Sequence, residues 1–430
     1  MRVGRRTAVI VLCAILLSIP CLAGCEPRVE YVSSKQPVTL RFLVREQTAV
    51  METLVAEFHA RYPWITVEMV RAEQFSNQMD ALIQTGDIDI FRDGREGLLY
   101  AEQGLLAPLD EVQLGDWSGI HDDYYPGAWE GLRLNGQQLG IPAGLDLLVT
   151  YVHLDHANAL KVAIPDVNWT NLEFLELVTK LNYPEGLPNT ESAKLFGFCS
   201  DPRGVDPLVF IYSHGGTVVD SITAPSQVTL NAPATVEAIQ WYSDLFNTHR
   251  VAPLPDVLRS SFARGGVWEA SFRGACGVWL GWYSMRGGFD ERMEWHMKWK
   301  MLPLPKDRTG IGLGDVEAYY LMKDCEHPKE ALKLLRFLAD RWEASDKMLP
   351  PRRSLADSEA YQEAVGEELA TVASMASAKL MMLPSESSAA LDKVSEEFTA
   401  AVVQIVEEDY LAEQILDEAQ AKVKNVFKQP

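Results

Sequence analysis

The sequence predicts an α/β fold with a mainly parallel sheet and helices on both faces of that sheet. Short runs in which apolar and polar residues alternate are typical of half-buried strands, and longer runs with apolar residues every three or four positions are typical of helices. The two kinds of run follow each other in turn between residues 38 and 104. Because a β-α-β order carries the chain back across the sheet, successive strands are expected to run parallel.

The first strand and helix show the pattern most clearly. Val38–Val44 alternates apolar and polar residues, and the next segment has apolar residues at helical spacing from Met51 to Tyr62, where Pro63 ends the helix. The same reasoning predicts further strands at 64–70, 88–91, 139–147, 149–153, 195–199 and 274–280. It predicts further helices at 74–84, 98–104, 170–182, 206–214, 233–248, 328–341, 357–380 and 388–427.

Composition and charge narrow the class of protein. The chain has 430 residues, of which 47% are hydrophobic and 23% are charged, the balance of a globular protein long enough for two or three domains. Thirty-nine Lys and Arg residues against sixty Asp and Glu residues give a formal net charge of -21. This charge has the wrong sign for nucleic acid and for anionic lipid head groups, so no nucleic-acid partner is expected.

The N-terminus has the pattern of a bacterial lipoprotein. Basic residues precede an apolar run at 8–23 that is short for a bilayer span, as in a secretion signal. The run ends in the letters LAGC, which resemble the lipobox, where a peptidase cleaves ahead of an acylated cysteine, here Cys25. We therefore expect a signal peptide at 1–24, then lipidated Cys25 and a tether over 25–37, which would anchor the protein to the membrane outside the cytoplasm. A plain secretory peptide with an incidental cysteine is the alternative.

Three cysteines remain once the signal peptide and Cys25 are set aside, namely Cys199, Cys276 and Cys325. They show no metal-ligand spacing and lie in apolar segments, and an odd number of cysteines cannot all pair. Buried free thiols are the simplest interpretation, although the sequence leaves their redox state open.

Seven segments occur in an order that carries a family resemblance. They begin with EFHARYPWITVEMV and with QTGDIDIF followed by YAEQGLLAPLDE; they continue with YYPGAWEGLRLNGQQLGIPAGLDLLVTYVHLD, NWTNLEFLELVTKL and FARGGVWEASFRGACGVWLGWY; and they end with MLPLP and with GLGDVEAYYLMKDCEHPKEALKLLRFLAD followed by LPPRRS. From about residue 38 to 428 the chain resembles the extracellular solute-binding proteins of sugar-type ABC importers, the group that includes maltose-binding protein.

The resemblance implies a periplasmic-binding-protein type II fold, in which two α/β lobes are joined by chain crossings and hold a ligand cleft between them. The lobes would comprise 38–144 plus 316–356 and 145–315 plus 357–428. The crossings would lie near 141–147, 312–319 and 350–354. Glycines and prolines at these places suit backbone that changes its angles, although ordinary turns also use them: Gly140, Pro142, Gly144, Gly312, Gly314, Pro350 and Pro351.

Ligands of open α/β sheets bind beyond the carboxyl ends of the strands, and this rule selects candidate residues without any resemblance. The residues selected are rich in Arg, acids and aromatics: Arg45, Glu46, Gln47, Arg92, Asp93, Arg95, Glu96, Asp146, Asp201, Arg203, Asp206, Trp282 and Tyr283. A sugar presents hydroxyl groups at its rim and C–H patches on its faces. Carboxylate and guanidinium groups suit the former, and aromatic rings suit the latter.

The resemblance adds roles for three residues. Asp146 follows a G-I-P hinge after which the family often places an acid, Trp282 resembles the family's stacking aromatic, and Asp315 lies in a hinge segment that lines the cleft in relatives. The alternatives are a solvated hinge acid, a core tryptophan, for which Trp279 within the strand is the better candidate, and mutual surface ion pairs among Arg92, Asp93, Arg95 and Glu96.

Four arginines among the candidates bear on the charge of the ligand. Arg45, Arg92, Arg95 and Arg203 all follow strands, an unusual number for a site that binds a neutral oligosaccharide. The hypothesis is an acidic or highly polar saccharide, such as a uronic-acid oligomer. The alternative is that these arginines balance the protein's own acids.

The expected function is that of a membrane-anchored receptor subunit of an ABC importer. It would bind a carbohydrate by lobe closure and pass it to the transmembrane subunits of the permease, without catalysis or a cofactor and as a monomer. Three other classes compete with this interpretation. The run His153, Asp155, His156 would suit a metal-binding lipoprotein, a sensor or adhesin can share the fold, and a carbohydrate-active enzyme would use paired acids. The sequence has no G-x-S-x-G, H-E-x-x-H or P-loop motif.

Overall fold

The fold is given by a computed structural model, which describes residues 36–45, 49–72, 78–109, 120–186, 194–222, 224–262, 265–288, 294–384 and 388–428. The expected signal peptide at 1–24, Cys25 and most of the tether lie outside the described residues, as do Glu46 and Gln47. Within the described ranges, no helix combines the length and the apolar character needed to cross a membrane.

A long sheet organises the described chain. Its strands and the separate pair β4–β5 are β1 (Val38–Val44), β2 (Ile65–Arg71), β3 (Ile90–Asp93), β4 (Arg133–Leu134), β5 (Gln137–Gln138), β6 (Gly140–His153), β7 (Phe196–Cys199), β8 (Cys276–Trp282), β9 (Trp299–Leu302), β10 (Gly312–Leu321) and β11 (Leu380–Met382). The order in the sheet is β2-β1-β3-β10-β6-β8-β7, with β11 paired to β10 and β9 paired to β6.

Helices cover this sheet. They are α1 (Ala49–Arg61), α2 (Gln78–Thr85), α3 (Leu99–Glu102), α4 (Leu154–Leu160), α5 (Asn171–Lys180), α6 (Asp206–His214), α7 (Pro233–Asn247), α8 (Pro255–Ser261), α9 (Gly266–Phe272), α10 (Pro328–Ala339), α11 (Arg353–Ala356), α12 (Glu359–Val365), α13 (Glu367–Ser377), α14 (Ala389–Glu408) and α15 (Ala412–Val423). Local signals set several of these ends; for example, Thr170 and Glu173 form a capping box that begins α5.

The prediction of a mainly parallel sheet is correct at the edges and wrong in the centre. β1 pairs in parallel with β2 and β3, and β7 pairs in parallel with β8. The central strand β10, however, runs antiparallel to both β3 and β6, and β6 runs antiparallel to β8 and β9. The sheet is therefore mixed. The sequence did not predict β10 as a strand because the two glycines and two acids in GLGDVEAYYL interrupt the apolar pattern.

Several predicted boundaries also change. The two strands predicted at 139–147 and 149–153 are one strand, β6, whose residues are almost all buried because apolar core packs against both of its faces. The helix predicted at 357–380 divides at Gly366, where φ is +89°, and the helix predicted at 388–427 divides at Asp409, where φ is +56°. A residue with positive φ cannot continue a right-handed helix, so each long apolar pattern yields two helices.

Close packing, not a special backbone angle, explains a glycine in β10. Gly314 has no positive φ, but a Cβ atom at this position would lie 2.7 Å from the backbone oxygen of Asp146. No side chain fits there, because real Cβ atoms do not approach other atoms so closely. The glycine thus allows β10 to lie against β6 where the predicted crossings meet.

The cysteine prediction is wrong for two of the three residues. Cys199, in β7, and Cys276, in the neighbouring strand β8, form a disulfide whose Cα atoms are 5.6 Å apart. Their separation of 77 residues concealed the pairing, because only the fold makes the two strands neighbours. Cys325 is a free thiol, and burial raises its pKa to about 12.

Candidate functional site

A cavity of about 150 Å³ lies where the ends of several strands meet the central pair β6 and β10. It is lined by Gly94, Glu96, Asp146, Trp282, Asp315, Val316, Glu317 and Met348. Four of these residues carry carboxylates and one is a tryptophan, which is the combination predicted for a sugar site. The strand-end rule thus brought together Glu96, Asp146 and Trp282, which are far apart in the chain.

Asp146 and Asp315 face each other across the strands that form the floor of this cavity. They are directly paired in the antiparallel register of β6 and β10, so their side chains project from the same face of the sheet. Ser284 holds the Asp146 carboxylate: its backbone N–H donates to Oδ1 at 2.9 Å, and its hydroxyl donates to Oδ2 at 2.5 Å. Burial raises the pKa of Asp146 to about 7, against the opposite effect of the Ser284 hydrogen bonds.

Arg95 supports Asp315 from below the cavity. Its side chain is only 2% exposed, and its Nε donates to Asp315 Oδ1 at 2.6 Å. The same guanidinium donates to the backbone carbonyl of Leu383, which follows β11. Arg95 therefore connects the turn after β3 with β10 and with the segment after β11. It supports the site but does not line the cavity.

Glu317 has a similar support in Arg92. The two side chains form an ion pair in which Arg92 Nε lies 2.6 Å from Glu317 Oε2, and Arg92 also donates to the carbonyl of Ala344 at 3.1 Å. Burial disfavours the charged guanidinium, but the charge of Glu317 and its hydrogen bond outweigh that effect and raise the pKa of Arg92. By contrast, Glu96 forms no ion pair with a described cation, and burial raises its pKa.

The tryptophan and tyrosine at the end of β8 have different positions. Trp282 is partly exposed and lines the cavity, whereas Tyr283 is fully buried and its hydroxyl lies 3.0 Å from that of Tyr361. Trp279 is 3% exposed and stacks on Tyr151, as expected for the core residue of the three. Tyr283 was a predicted ligand residue, but its burial keeps it out of this cavity.

Other predicted site residues lie elsewhere. Arg45 pairs with Asp93 at 2.9 Å, and Arg203 pairs with Glu407 at 2.9 Å beside Asp201. Asp206, at the start of α6, accepts a hydrogen bond from the Ser200 hydroxyl at 2.6 Å, and burial raises its pKa to about 7. None of these residues is among those that line the cavity of Asp146.

Each of the four arginines behind the hypothesis of an acidic saccharide has a carboxylate partner within the protein. The partners are Asp93 for Arg45, Glu317 for Arg92, Asp315 for Arg95, and Asp201 and Glu407 for Arg203. The alternative of mutual pairs among residues 92–96 is wrong, since the partners belong to other parts of the chain. The arginines balance the protein's own acids.

Sequence reasoning missed Glu317 and Met348. Glu317 lies two positions after Asp315 in β10, and alternate residues of a strand share a face, so recognising the strand would have found it. Met348 lies in the segment that leads to Leu349, whose backbone pairs with Leu145 of β6. No residue pattern around Met348 marks it as part of a site.

The H-x-D-H run has structural partners in its own neighbourhood. His156 lies 3.0 Å from the carbonyl of Gly274, its backbone N–H donates to His153, and Asp155 accepts from the backbone of Lys298. Burial lowers the pKa of His153 to about 4. Among the residues that the structure describes, no group of three or more potential metal ligands is assembled.

Two larger cavities lie apart from these strand ends. One, of about 330 Å³, is lined mainly by α12, α13 and Tyr125. The other, of about 320 Å³, lies between α5, α6 and α7, next to Trp241. Neither contains a residue that the strand-end rule selected.

Comparison with known proteins agrees with this architecture. Residues 44–341 match the family described as bacterial extracellular solute-binding protein. An ABC substrate-binding protein from Listeria monocytogenes in complex with cycloalternan is 17% identical, with a TM-score of 0.74 over 92% of this chain and 100% of that one. The cyclic α-maltosyl-1,6-maltose binding protein of Arthrobacter globiformis is 18% identical, with a TM-score of 0.72 over 91% of this chain and 99% of that one.

The sugar-binding protein MalE from Xanthomonas citri is also similar in structure, with 18% identity and a TM-score of 0.71 over 91% of this chain and 97% of that one. Identities this low establish the fold, which is the two-lobed type II fold of these proteins. The family match covers well over half of the chain. The chain therefore belongs to the bacterial extracellular solute-binding protein family.

Proposed function

We propose that this protein is an extracytoplasmic receptor that binds a saccharide in the cavity of Asp146 and delivers it to the transmembrane subunits of an ABC permease. The observation that carries the proposal is the meeting of Asp146, Asp315 and Trp282 in one cavity, in a chain of the solute-binding family. The similar proteins from Listeria and Arthrobacter, whose descriptions name oligosaccharides, support a saccharide ligand.

The side chains of the cavity suit a polyol. Carboxylate oxygens of Asp146, Asp315 and Glu317 would accept hydrogen bonds from adjacent hydroxyl groups, each charge-assisted bond contributing about 1.5–3 kcal/mol. The Trp282 ring would cover the C–H face of a sugar ring and exclude water from those bonds. A volume of about 150 Å³ is below the usual range for a whole ligand, so this cavity would hold one end of a longer saccharide.

The charge of the site argues for a ligand without carboxylates. An acidic saccharide was the hypothesis raised by the arginines, but those arginines are paired with acids, and the cavity wall carries four carboxylates. A uronic acid would meet like charge there, which disfavours its binding. The proposal is therefore a saccharide that is not anionic.

Ligand binding would join two lobes, 38–144 plus 316–356 and 145–315 plus 357–428. In this division Glu96 and Glu317 belong to the first lobe, and Asp146 and Trp282 to the second, so a ligand in the cavity touches both. To change the ratio of closed to open protein from 1:99 to 99:1, the ligand must bind the closed form about 5.5 kcal/mol more tightly than the open form. Two or three polar bonds shared between the lobes and a stacked ring can supply this difference.

The remaining parts of the proposal concern the protein's place in the cell. The signal-like segment at 1–24 and the LAGC letters support a lipid anchor on Cys25, which would hold a monomeric receptor at the outer face of the membrane. A receptor of this kind needs no cofactor and performs no catalysis.

A thermal-shift screen against saccharides, amino acids, polyamines and metal ions tests the proposed function, because a ligand stabilises the native state by mass action. We expect a saccharide to raise the melting temperature and Trp282→Ala to remove that rise. The matched control is Trp268→Ala, which removes a partly exposed tryptophan that stacks on Phe272 outside the cavity. A rise with metal ions or amino acids alone would contradict the proposal, as would equal loss in both variants.

A further inference from the structure

The carboxylates of the cavity are only partly balanced by cations. Asp315 and Glu317 each have an arginine partner at 2.6 Å, whereas Glu96 and Asp146 form no ion pair with any Lys, Arg or His of the described chain. The cavity wall itself contains no cationic side chain among the described residues. A ligand that enters this space therefore meets two acids that no cationic side chain of the described chain balances.

We propose that the saccharide bound by this protein carries a protonated amine, and that its ammonium group binds in the cavity against Asp146 and Glu96. This inference rests on the proposed function and specifies its ligand class. Hydroxyl groups can hydrogen-bond to a carboxylate, but they leave its charge uncompensated, whereas an ammonium group supplies three donors and the missing charge.

The cost of burial gives the amine its advantage. Desolvation raises the pKa of the partly buried Asp146 to about 7, and it also raises the pKa of Glu96, although the Glu96 side chain is exposed in the empty protein. A ligand that fills the cavity removes more water from both carboxylates. Because an unpaired charge is costly to remove from water, a neutral ring offsets this cost poorly and a cation offsets it well.

The cations near Asp146 are already committed. Arg95 and Arg92 are bound to Asp315 and Glu317. Arg286 attracts Asp146 from a distance, but its guanidinium lies 4.3 Å from the centre of the Tyr283 ring and donates to the carbonyls of Tyr283 and Lys347. None of the three is an ion-pair partner of Asp146, so the position is open to a cation from the ligand.

Size and the apolar wall agree with this assignment. A cavity of about 150 Å³ accommodates a compact group at the end of a sugar, as an ammonium is. Trp282 offers a ring face that attracts both the C–H side of a sugar and a nearby cation. Met348 adds a polarizable contact that needs no hydrogen bond.

The test compares sugars that differ only in the group carried at C2 of each ring. Glucosamine, N-acetylglucosamine and glucose form one set, the β-1,4-linked disaccharides of the same three units form a second, and galactosamine with its two counterparts forms a third. Binding to the purified protein is measured by calorimetry at pH 7, at low and at high salt. Spermidine is included to separate an amino sugar from a plain polyamine.

We expect the amine to bind at least tenfold more tightly than its acetylated and hydroxyl counterparts in one or more sets, with the preference falling at high salt. Asp146→Asn and Glu96→Gln should each reduce the preference to about threefold or less. Asp201→Asn, whose carboxylate lies at the surface next to Arg203, is the matched control and should keep it. Two independent variants keep the test valid if one of them fails to fold.

Equal or tighter binding of the neutral sugars overturns the amine assignment and leaves the proposed function standing. The same holds if the wider screen finds only saccharides without an amine, or if both variants retain the full preference. Binding of spermidine without any sugar overturns the saccharide as well. If no saccharide binds at all, the inference and the proposed function fail together.

Discussion

Asp146 and Asp315 lie directly opposite each other on β6 and β10, yet only Asp315 has a guanidinium partner. Two facing carboxylates repel each other unless one is neutralised or protonated. Arg95 neutralises Asp315 at 2.6 Å, while Ser284 gives Asp146 hydrogen bonds without charge. The pair is therefore asymmetric: Asp315 has a cationic partner in the framework of the protein, whereas Asp146 has none in the described chain.

Exchange of Asp146 for Asn should change how stability depends on pH. Because burial raises the pKa of Asp146 to about 7 in the folded state, the folded protein holds this proton more tightly than the unfolded chain. The resulting stability is present at low pH and is lost as pH rises from about 4 through 7. The free energy of unfolding of Asp146→Asn, taken relative to that of the wild type, should be about 1–3 kcal/mol more favourable at pH 8 than at pH 5. This difference is smaller than the full pKa shift implies, because the carboxylate is partly exposed.

Urea unfolding of both proteins at the two pH values measures this difference. Burial also raises the pKa of Asp206 to about 7. Its effect on the pH dependence of the unfolding free energy is the same in both proteins and cancels in the comparison. Parallel pH profiles of the wild type and Asp146→Asn would show that the Asp146 carboxyl does not titrate as described.

Loss of Arg95 should destabilise the empty protein strongly. Arg95→Met leaves the Asp315 carboxylate without its partner and the Leu383 carbonyl without its donor, and removing one member of a buried pair costs about 3–5 kcal/mol. Arg203→Met removes a surface arginine and should cost less than about 1 kcal/mol. Equal unfolding free energies for the two variants would argue against a supporting role for Arg95.

The two tryptophans of β8 should separate binding from stability. Trp282→Ala should weaken saccharide binding by 1.4 kcal/mol or more, at least tenfold, and lower the melting temperature of the empty protein only slightly. Trp279→Ala, which opens a hole beside Tyr151, should cost about 3–5 kcal/mol of stability. Calorimetry and thermal melts measure both. A large loss of stability in Trp282→Ala would place that residue in the core.

Reduction of the disulfide should also be visible in stability. A bond that closes a long loop restricts the unfolded chain, and its loss typically costs about 2–4 kcal/mol. Cys199→Ala with Cys276→Ala should therefore unfold at lower urea concentration than the wild type, whereas Cys325→Ala, which removes only the free thiol, should not. Unchanged unfolding of the double variant, or no effect of a reducing agent, would mean that the pair is not bonded.

Local patterns predicted the outer strands and the central strand β6 but missed its central neighbour β10. β1 forms at the predicted residues, where apolar and polar residues alternate as far as Phe42 and the last three residues are all buried. β10 was not predicted as a strand because its glycine Gly314 allows close packing against β6 and its acids line the cavity. Its sequence therefore reflects contacts that only the fold creates. The disulfide was hidden for the same reason.

The site was predicted in part. The strand-end rule and the family resemblance placed Asp146, Trp282 and Asp315 correctly at one cavity, since the ends of neighbouring strands meet. The acid partners of the arginines were not predicted, because sequence shows where arginines lie along the chain but not which acids the fold brings to them. The burial of Tyr283, next to a residue that lines the cavity, likewise depends on tertiary packing.

A crystal structure of the protein with the saccharide that stabilises it best tests the proposed binding site directly. We predict that the sugar lies within hydrogen-bond distance of Asp146, with a ring face on Trp282. A saccharide found instead in the 330 Å³ cavity beside Tyr125 and α13, with the Asp146 cavity unchanged, would contradict it.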